Sequence, residues 1–534
     1  MTSEERLVIF ASSLGTVFEW YDFYIYGTLG VFLAKYFFSN VPLNIAFIFT
    51  LLAFAAGFAV RPLGALVFGR IGDIVGRKYT FLVTMTLMGI GTFFIGVLPS
   101  YAQWGIWAPV VLIGLRLVQG LALGGEYGGA AIYVAEHAPP DKRGYYTSWI
   151  QTTATLGLFM ALLLVLGVRN VLGEEAFSNW GWRVPFLLSL VLLVVSIWIR
   201  LKLNESPVFQ RMKEEGKASK RPLSEAFGQW SNLKIAILAL LGATAGEAVV
   251  WYGGQFYALF FLTQTLKVDA TTAQIMIATA LAIGTPFFIL FGWLSDKIGR
   301  KPIMLLGFFL AAVTYAPMSP VNIFKAITHY VNPALEQALV SAPVTVVADQ
   351  RECSFQFKMT GTEKFSTSCD TAKAALVNAS VNYSNEPGPA GQPAVVKVGD
   401  QAISTTQPDF AKAISAAIAK HGYPAKADTA QINYPMAILL LTILVIYVTM
   451  VYGPIAAWLV ELFPTRIRYS GLSLPYHIGN GWFGGFLPAT VFAIVAATGD
   501  IYSGLWYPVI IAAMSFVVGL LFLPETKDVD ITKA

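Results

Sequence analysis

One ten-residue pattern of glycines and charged residues occurs twice in this chain, at positions 223 residues apart. Each copy interrupts two long apolar stretches. A second, shorter pattern recurs with an offset of 325 residues. Two halves with the same polar interruptions in the same order indicate a duplicated membrane unit, the arrangement typical of alternating-access machinery. The charged residues of the repeats, which we expect to form gates, are Asp73, Arg77, Asp296, Arg300, Glu136, Arg143, Glu461 and Arg468.

The composition also indicates an integral membrane protein. Of the 534 residues, 56% are hydrophobic and 13% are charged, whereas soluble domains carry about 25% charged residues. Apolar runs long enough to cross a bilayer occur at about residues 10–34, 44–68, 79–99, 106–135, 146–168, 184–201, 234–264, 272–294, 302–322, 435–460, 471–497 and 503–523. We therefore predict an all-α membrane protein with twelve transmembrane helices in two six-helix bundles.

The two repeat offsets differ by about 102 residues, so the second half contains an insertion of about that length. Within it, residues 394–404 predict a β-hairpin, and residues 409–421 predict an amphipathic helix capped by Asp409. We expect a small α+β extramembrane domain. The predicted divisions are an N-terminal bundle at 1–201, a linker at 202–233, a C-terminal bundle at 234–327 and 434–534, and the insert at 328–433.

The orientation follows from the basic residues of the short loops. About 21 Lys and Arg lie on the side of the N-terminus, against about four in the outer loops. Both termini and the linker are therefore expected on the cytoplasmic side of the membrane, with the insert on the outer, periplasmic side. The net charge of +5 reflects this asymmetry, and it forms no patch of the kind that binds nucleic acid.

Both cysteines of the chain, Cys353 and Cys369, fall in the insert. In an oxidising compartment, two cysteines within a small domain are expected to form a disulfide. The alternative is a pair of free, buried thiols.

Three carboxylates within the apolar runs are candidates for proton coupling. Glu19 and Asp22 share one face of the first run, and Glu247 lies near the repeat equivalent of Asp22. A carboxylate at this depth is costly unless it faces water, a cation or a partner. The alternative is a static ion-pair cluster that stabilises the first bundle.

Cationic, polar and aromatic side chains at similar depths are candidates for substrate binding. Arg61 and Arg116 have no counterpart in the second half, where the equivalent positions are Gly284 and Leu441. For the aromatic residues, packing is the competing explanation. The candidate substrate-binding residues are Arg61, Arg116, Gln119, Tyr26, Trp251 and Tyr252.

These motifs together resemble a known group. Residues 69–78 and 292–301 resemble the loop signature of the major facilitator superfamily. Residues 19–23, 61–64, 116–126 and 461–466 more narrowly resemble the metabolite:proton symporter family, which includes permeases for α-ketoglutarate, citrate, shikimate and proline/betaine. The resemblance covers about residues 5–325 and 433–527. One departure is Ile74, where the signature usually has a base, and another is the insert, which typical members lack.

The resemblance implies proton-coupled symport of a small organic metabolite by alternating access across the inner membrane of a bacterium. Protonation of Asp22 or Glu19 would free Arg61 or Arg116 to bind an anionic substrate. Two unduplicated arginines favour a carboxylic acid, such as a di- or tricarboxylate. A zwitterionic osmolyte such as proline or betaine also has a carboxylate, so this alternative stays open.

A third interpretation is a receptor that does not transport and signals through the insert. Retention of both gate motifs and of the intramembrane charges favours a transporter. No enzyme motif is present, and the four histidines are not spaced as metal ligands, so we expect no cofactor and no metal. The expected partners are a small-molecule substrate, a proton and the lipid bilayer, with the protein acting as a monomer and without nucleic acid.

Overall fold

The computed structural model describes residues 3–39, 43–356 and 366–532. Within them, twelve apolar helical segments follow one another, here called spans 1 to 12. Nine of these are long and apolar enough, by length and composition, to cross a membrane. The bounds of the spans in order are Ser3–Thr28 with Gly30–Phe37, Leu43–Ile74, Arg77–Val97, Trp107–His137, Pro140–Leu172, Gly181–Leu201, Trp230–Thr265, Ala270–Ile298, Arg300–Tyr315, Tyr434–Leu462, Thr465–Thr498 and Ser503–Phe522.

The spans form two bundles. Spans 1–6 pack chiefly against one another, as do spans 7–12. Contacts between the halves are concentrated where span 2 meets span 11 and where span 5 meets span 8. The predicted fold class, an all-α membrane protein of two six-helix bundles with a small α+β insert, is confirmed.

Span 9 is shorter than predicted. Its helix ends at Tyr315, whereas the apolar run continued to residue 322. Pro317 disfavours a helical conformation at the preceding residue, and Ala316 accordingly adopts an extended ψ of 124°. The hydrophobicity of the sequence alone did not predict that the helix ends at this position.

Close packing of spans 2 and 4 depends on glycine. A Cβ atom at Gly120 would lie 2.2 Å from the carbonyl oxygen of Gly57, and one at Gly124 would lie 2.3 Å from that of Arg61. Larger side chains at these positions would push the helices apart. The glycines therefore fix the depth and direction of Arg61 relative to span 4.

Spans 7 and 11 contain wider, π-helical turns. Span 7 has three, at Leu240–Thr244, Tyr252–Tyr257 and Phe261–Thr265, and span 11 has one at Gly479–Gly484. A π turn rotates the residues that follow it relative to an ideal helix, and such turns are frequent at functional sites.

The insert is built on a four-stranded sheet in the order β2-β1-β3-β4. Strand β1 (Val344–Ala348) pairs in parallel with β2 (Tyr383–Pro387) and antiparallel with β3 (Val395–Val398). Strands β3 and β4 (Gln401–Ser404) form the predicted hairpin, which is confirmed.

Helices at Ile323–Val331, Pro333–Ser341, Ser368–Asn378 and Phe410–Lys420 accompany the sheet. Phe410, Ile414 and Ile418 are buried on one face of the last of these, as predicted. The predicted capping bond is absent, because the side chain of Asp409 lies 3.6 Å from the Lys412 ammonium and not on a backbone N–H.

The insert caps the end of span 11. The last carbonyl groups of a helix lack partners within the helix, and here side chains of the insert bind them. The Tyr383 hydroxyl donates to the Ala496 carbonyl, and the Lys373 ammonium donates to that of Ala497 at 3.3 Å. Burial lowers the pKa of Lys373, and the opposing effect of Asp370 is smaller.

A second set of contacts holds the insert on the loop between spans 7 and 8. The Lys267 ammonium donates to the Asn378 carbonyl at 2.6 Å, and the Ser380 hydroxyl donates to the Gln264 carbonyl at 3.1 Å. Within the described ranges, every hydrogen bond between the insert and the spans goes to the second half. The insert is therefore attached by these hydrogen bonds to the second half of the molecule.

Cys353 and Cys369 form a disulfide, as predicted, with Cα atoms 5.2 Å apart and a sequence separation of 16 residues. It joins the segment that follows β1 to the first turn of the Ser368–Asn378 helix, which carries Lys373.

Replacement of both cysteines by alanine should destabilise the insert by about 3 kcal/mol, because the disulfide restricts the unfolded loop. Amide hydrogen exchange in β1 and β3 should accelerate by about 100-fold, while exchange in spans 2 and 4 stays unchanged. Ser415→Ala, an exposed change in the same domain, serves as the control. Unaltered exchange in the sheet of the double variant would contradict a stabilising role for the bond.

Candidate functional site

Each repeat motif places a carboxylate on the first turn of a helix from the other half. Asp73 accepts hydrogen bonds from the backbone N–H groups of Tyr469 and Ser470, at 3.0 and 2.8 Å. It also pairs with Arg77 at 2.7 Å. An anion at a helix N-terminus satisfies free N–H groups and interacts favourably with the helix dipole. Asp73 therefore connects span 2 to span 11.

The second copy repeats this geometry between spans 8 and 5. Asp296 accepts hydrogen bonds from the backbone N–H groups of Gly144 and Tyr145, both at 2.8 Å. It pairs with Arg300 at 2.6 Å. The sequence repeat thus corresponds to a structural repeat in which each half caps a helix of the other.

The shorter repeat completes both clusters. Glu136 pairs with Arg468 at 2.7 Å and lies 3.7 Å from Arg77. Glu461 pairs with Arg143 at 3.2 Å and with Arg300 at 3.0 Å. The structure therefore gathers all eight predicted gate residues into two buried clusters that bridge the halves.

The linker and the C-terminal segment reinforce these clusters. The Ser206 hydroxyl donates to Glu136, and the Thr526 hydroxyl donates to Glu461 at 2.7 Å. Sequence reasoning missed both contacts. An acid followed by a hydroxyl residue, at 205–206 and again at 525–526, was the signal that could have revealed them.

Backbone carbonyl groups of the C-terminal segment also bind the gate arginines. The Val529 carbonyl accepts from Arg143 at 2.8 Å, and that of Ile531 accepts from Arg468 at 3.0 Å. Near the other end of the described chain, Glu5 accepts from the Tyr146 hydroxyl at 2.7 Å. The gates and the two ends of the described chain thus share one side of the molecule, here called the gate face.

Asp22 is the centre of a separate, fully bonded cluster in the first half. Its carboxylate accepts from the Thr92 hydroxyl at 2.7 Å, from the Arg116 guanidinium at 3.0 Å and from the Gln119 amide at 3.1 Å. The Arg116 guanidinium lies 4.2 Å from the centre of the Tyr26 ring. The side chain of Glu19, the other predicted carboxylate of span 1, lies outside the described residues.

A central cavity lies between the two halves, next to this cluster but not lined by it. Arg61 is the one charged residue that lines it in the described structure. The Arg61 guanidinium lies 4.3 Å from the centre of the Phe58 ring, and no ion pair of Arg61 is found in the described ranges. The lining residues are Thr16, Trp20, Arg61, Tyr127, Ile150, Gln151, Thr153, Trp251, Tyr252, Tyr452, Tyr476 and Asn480.

Aromatic rings from both halves enclose this cavity. Trp20 of span 1 and Trp251 of span 7 have ring centres 4.9 Å apart. Tyr127 of span 4 stacks on Tyr476 of span 11 at 3.8 Å. The Tyr476 hydroxyl is in turn hydrogen-bonded to that of Tyr452 at 2.9 Å.

The structure thus separates the predicted substrate-binding residues into two groups. Arg61, Trp251 and Tyr252 line the cavity, whereas Arg116, Gln119 and Tyr26 surround Asp22. Sequence reasoning missed the lining tyrosines of spans 4, 10 and 11. A tyrosine directly after an intramembrane acid, as at residues 126–127, was a usable signal for one of them.

Glu247 lies beside the cavity and has few partners. Its side chain is fully buried, and the Asn480 amide donates to one carboxylate oxygen at 2.9 Å. The other oxygen has no hydrogen-bond partner, and no cation pairs with Glu247 in the part of the chain that the structure describes. Since Asn480 lines the cavity, Glu247 is one residue removed from it.

The chain matches a family of known proteins. The sequence model of a protein family described as "Sugar (and other) transporter" matches residues 7–239 and 410–534. A proline/betaine transporter of Salmonella typhimurium is 36% identical over 309 residues, which are 57% of this chain and 62% of that protein. The matched region thus spans less than two thirds of that relative.

The alignments with two other relatives cover a larger share of both proteins. The α-ketoglutarate permease of Escherichia coli is 36% identical over 64% of this chain and 76% of its own length. A putative metabolite transport protein of Haemophilus influenzae is 32% identical over 98% of this chain and 95% of its own length, so the alignment includes the insert.

The fold is shared with solved structures. The proton:xylose symporter XylE, a major facilitator superfamily protein solved with 6-bromo-6-deoxy-D-glucose, superposes with a TM-score of 0.67 at 15% identity. The match covers 99% of this chain and 98% of XylE. The likeness to XylE shows a shared fold, and the family match shows that the chain belongs to the sugar (and other) transporter family.

Proposed function

We propose that this protein is a proton-coupled secondary transporter of a small zwitterion, and that it works by alternating access. The observation that carries this proposal is the central cavity, where, among the described residues, Arg61 is the single cation and is accompanied by six aromatic side chains. Gates that join the halves on one face support the alternating-access part. A receptor without transport is less consistent with a chain that retains both the cavity and the gates.

The chemistry of the cavity favours a substrate with one carboxylate and one cationic nitrogen. Arg61 has no acidic partner among the described residues, and such a guanidinium can bind a carboxylate through two parallel hydrogen bonds. Aromatic rings that enclose a site attract quaternary or secondary ammonium groups through their negative faces. The names of the relatives do not distinguish a zwitterion from a dicarboxylate. One relative is named for proline and betaine, and another is named for α-ketoglutarate.

A dicarboxylate is the second candidate, and Arg116 is the observation that favours it. Arg116 is neutralised by Asp22 at 3.0 Å. Protonation of Asp22 would weaken this pair and give the first half a second available cation. A dicarboxylate would then be bound by Arg61 and Arg116 together.

Glu247 is our preferred proton carrier. An ionised carboxylate buried without a cation is unfavourable, and Glu247 is in this situation beside the cavity. Asp22 is the alternative carrier, although it already has three donors.

We also propose the inner-membrane orientation that the loop charges indicate. The gate face would then be cytoplasmic and the insert periplasmic. The proposed division keeps the boundaries 1–201, 202–233, 234–327, 328–433 and 434–534, and we propose that the protein acts as a monomer.

Arg61→Lys should raise the half-saturation concentration for uptake by at least tenfold, roughly 1.4 kcal/mol, because lysine lacks the planar two-pronged geometry. Uptake of labelled glycine betaine and of α-ketoglutarate into proteoliposomes, each with an imposed pH gradient, provides the measurement. Arg169→Lys, on an exposed arginine that pairs with Glu174, is the matched control. An unchanged half-saturation concentration for both substrates would remove Arg61 from the binding site.

Trp251→Leu separates the two substrate candidates. Loss of the ring should weaken betaine uptake by at least about fivefold, since cation–π attraction contributes on the order of 1 kcal/mol or more. Uptake of a dicarboxylate should change much less. Competition assays on the same proteoliposomes measure both effects, and preferential loss of the dicarboxylate would favour the second candidate.

Glu247→Gln should abolish accumulation driven by a pH gradient while substrate exchange continues, because the amide cannot carry a proton. Accumulation should fall by at least about tenfold, within the range of coupling between linked sites. Glu174→Gln is the control, and Asp22→Asn is compared in parallel. Normal pH-driven accumulation by Glu247→Gln, with loss in Asp22→Asn, would assign the proton to span 1.

Asp73→Asn combined with Asp296→Asn should open the gate face. Each carboxylate makes charge-assisted bonds worth about 1.5–3 kcal/mol, which an amide does not reproduce. Spin labels at Lys142→Cys and Lys297→Cys, one on each half and both exposed, report the separation by pulsed electron resonance. Asp400→Asn, in the insert's hairpin turn, is the control. Identical distance distributions in all variants would show that these carboxylates do not hold the halves together.

A further inference from the structure

Span 11 carries a row of polar side chains that the gates and the cavity do not account for. Ser470, Ser473, His477 and Asn480 follow one another at helical spacings of three, four and three residues, so they share one face. All four are buried, with exposed fractions between 0 and 7%.

Three members of this row lack partners for their side chains. The hydroxyl groups of Ser470 and Ser473 and both ring nitrogens of His477 make no hydrogen bond within the described residues. A buried polar group without a partner is costly. These groups would be satisfied in a conformation that lets water reach them.

The row lies where the two halves meet. Ser473 packs against span 4 so closely that a Cβ atom at Gly128 would lie 2.3 Å from its hydroxyl oxygen. Tyr476 and Asn480, which flank His477 on span 11, line the same cavity as Arg61 of span 2. When the halves separate at the gate face, this side of span 11 would therefore be exposed to water.

Each end of the row is hydrogen-bonded to a carboxylate. At the gate end, the backbone N–H of Ser470 donates to Asp73 at 2.8 Å. At the cavity end, the Asn480 amide donates to Glu247 at 2.9 Å. His477, the titratable side chain of the row, lies between them along the helix.

We propose that His477 relays the coupled proton from Glu247 to the gate face, along the row Ser470, Ser473, His477 and Asn480. The proposal rests on the proposed function, because it assumes a proton-coupled transporter. In the open conformation, the Glu247 carboxylic acid gives its proton through water to a ring nitrogen of His477. The imidazolium then passes it to water at the gate face, and a carboxylate and a neutral imidazole are left.

Arg61 makes this relay dependent on substrate. Its guanidinium disfavours a second positive charge on the neighbouring imidazole, and a substrate carboxylate bound to Arg61 removes that repulsion. The other titratable groups near this part of the row are Tyr476 on the same helix, Tyr127 of span 4, and Glu247 of span 7 through Asn480. Proton release and substrate release at the gate face are thereby linked.

Thiol labelling tests the exposure of the row without any substrate. Both native cysteines are in the disulfide, so an introduced cysteine is the only free thiol. Ser473→Cys should react slowly in the parent and at least about tenfold faster when Asp73→Asn and Asp296→Asn open the gates. Ser470→Cys is the second variant, in case a larger atom beside Gly128 prevents folding. Ser415→Cys, exposed on the insert, should react rapidly in both backgrounds.

Equal, slow labelling of both row positions in both backgrounds would overturn the proposal, because the row would then remain buried throughout.

His477→Gln tests the relay itself. Accumulation driven by a pH gradient should fall by at least about tenfold, whereas exchange of labelled for unlabelled substrate should stay within about twofold of the parent. His329→Gln, on an exposed histidine that pairs with Glu336, is the matched control. Normal accumulation in His477→Gln, or parallel loss of accumulation and exchange, would overturn the relay. Absence of pH-driven uptake in the unmodified protein would instead overturn the proposed function, while the labelling result would still stand.

Discussion

The interaction on which the rest of the structure depends is a carboxylate of one half on a helix N-terminus of the other. Asp73 and Asp296 each bind two backbone N–H groups across the interface. These bonds join the two halves at the gate face, and in the proposed alternating-access cycle they would be exchanged for bonds to water. The donors in these bonds are backbone N–H groups, which do not depend on the side chain. The repeated motifs therefore specify the acids and arginines but not the residues that the acids bind.

The charged side chains at and beside the cavity fall into two groups, those with an ion-pair partner in the structure and those without one among the described residues. Asp22 and Arg116 neutralise one another within the first half, and they form a rigid, bonded unit. Arg61 and Glu247 lie on opposite halves at the cavity, and in the described residues neither has an ion-pair partner. Because unpaired charge inside a membrane is costly, it persists where a ligand or a proton can compensate it. This division, more than the number of charges, locates the proposed site.

Periodicity and repetition predicted most of the fold. The eight charged residues of the repeats lie together in two clusters, and their role as gates stays a prediction. The hairpin at residues 394–404 and the disulfide also followed from local chemistry. The cavity lining followed only in part. Arg61, Trp251 and Tyr252 were among the predicted residues, whereas the lining tyrosines of spans 4, 10 and 11 were not. The lining depends on the rotation of each span about its axis, which the π turns of spans 7 and 11 alter. The contacts of Val529 and Ile531 use backbone carbonyl groups, which no side-chain pattern can indicate.

The two ends of the insert lie side by side, next to the start of span 10. The backbone N–H of Asn433 donates to the Tyr330 carbonyl at 2.8 Å, so a long excursion of the chain begins and finishes at neighbouring residues. Once the domain has folded, spans 9 and 10 are joined in effect by a short loop, and their pairing avoids the entropy of closing a long flexible one. A domain that folds on its own early in synthesis gives the second bundle a compact connection, whereas a slow-folding one would leave two membrane helices separated by an open chain.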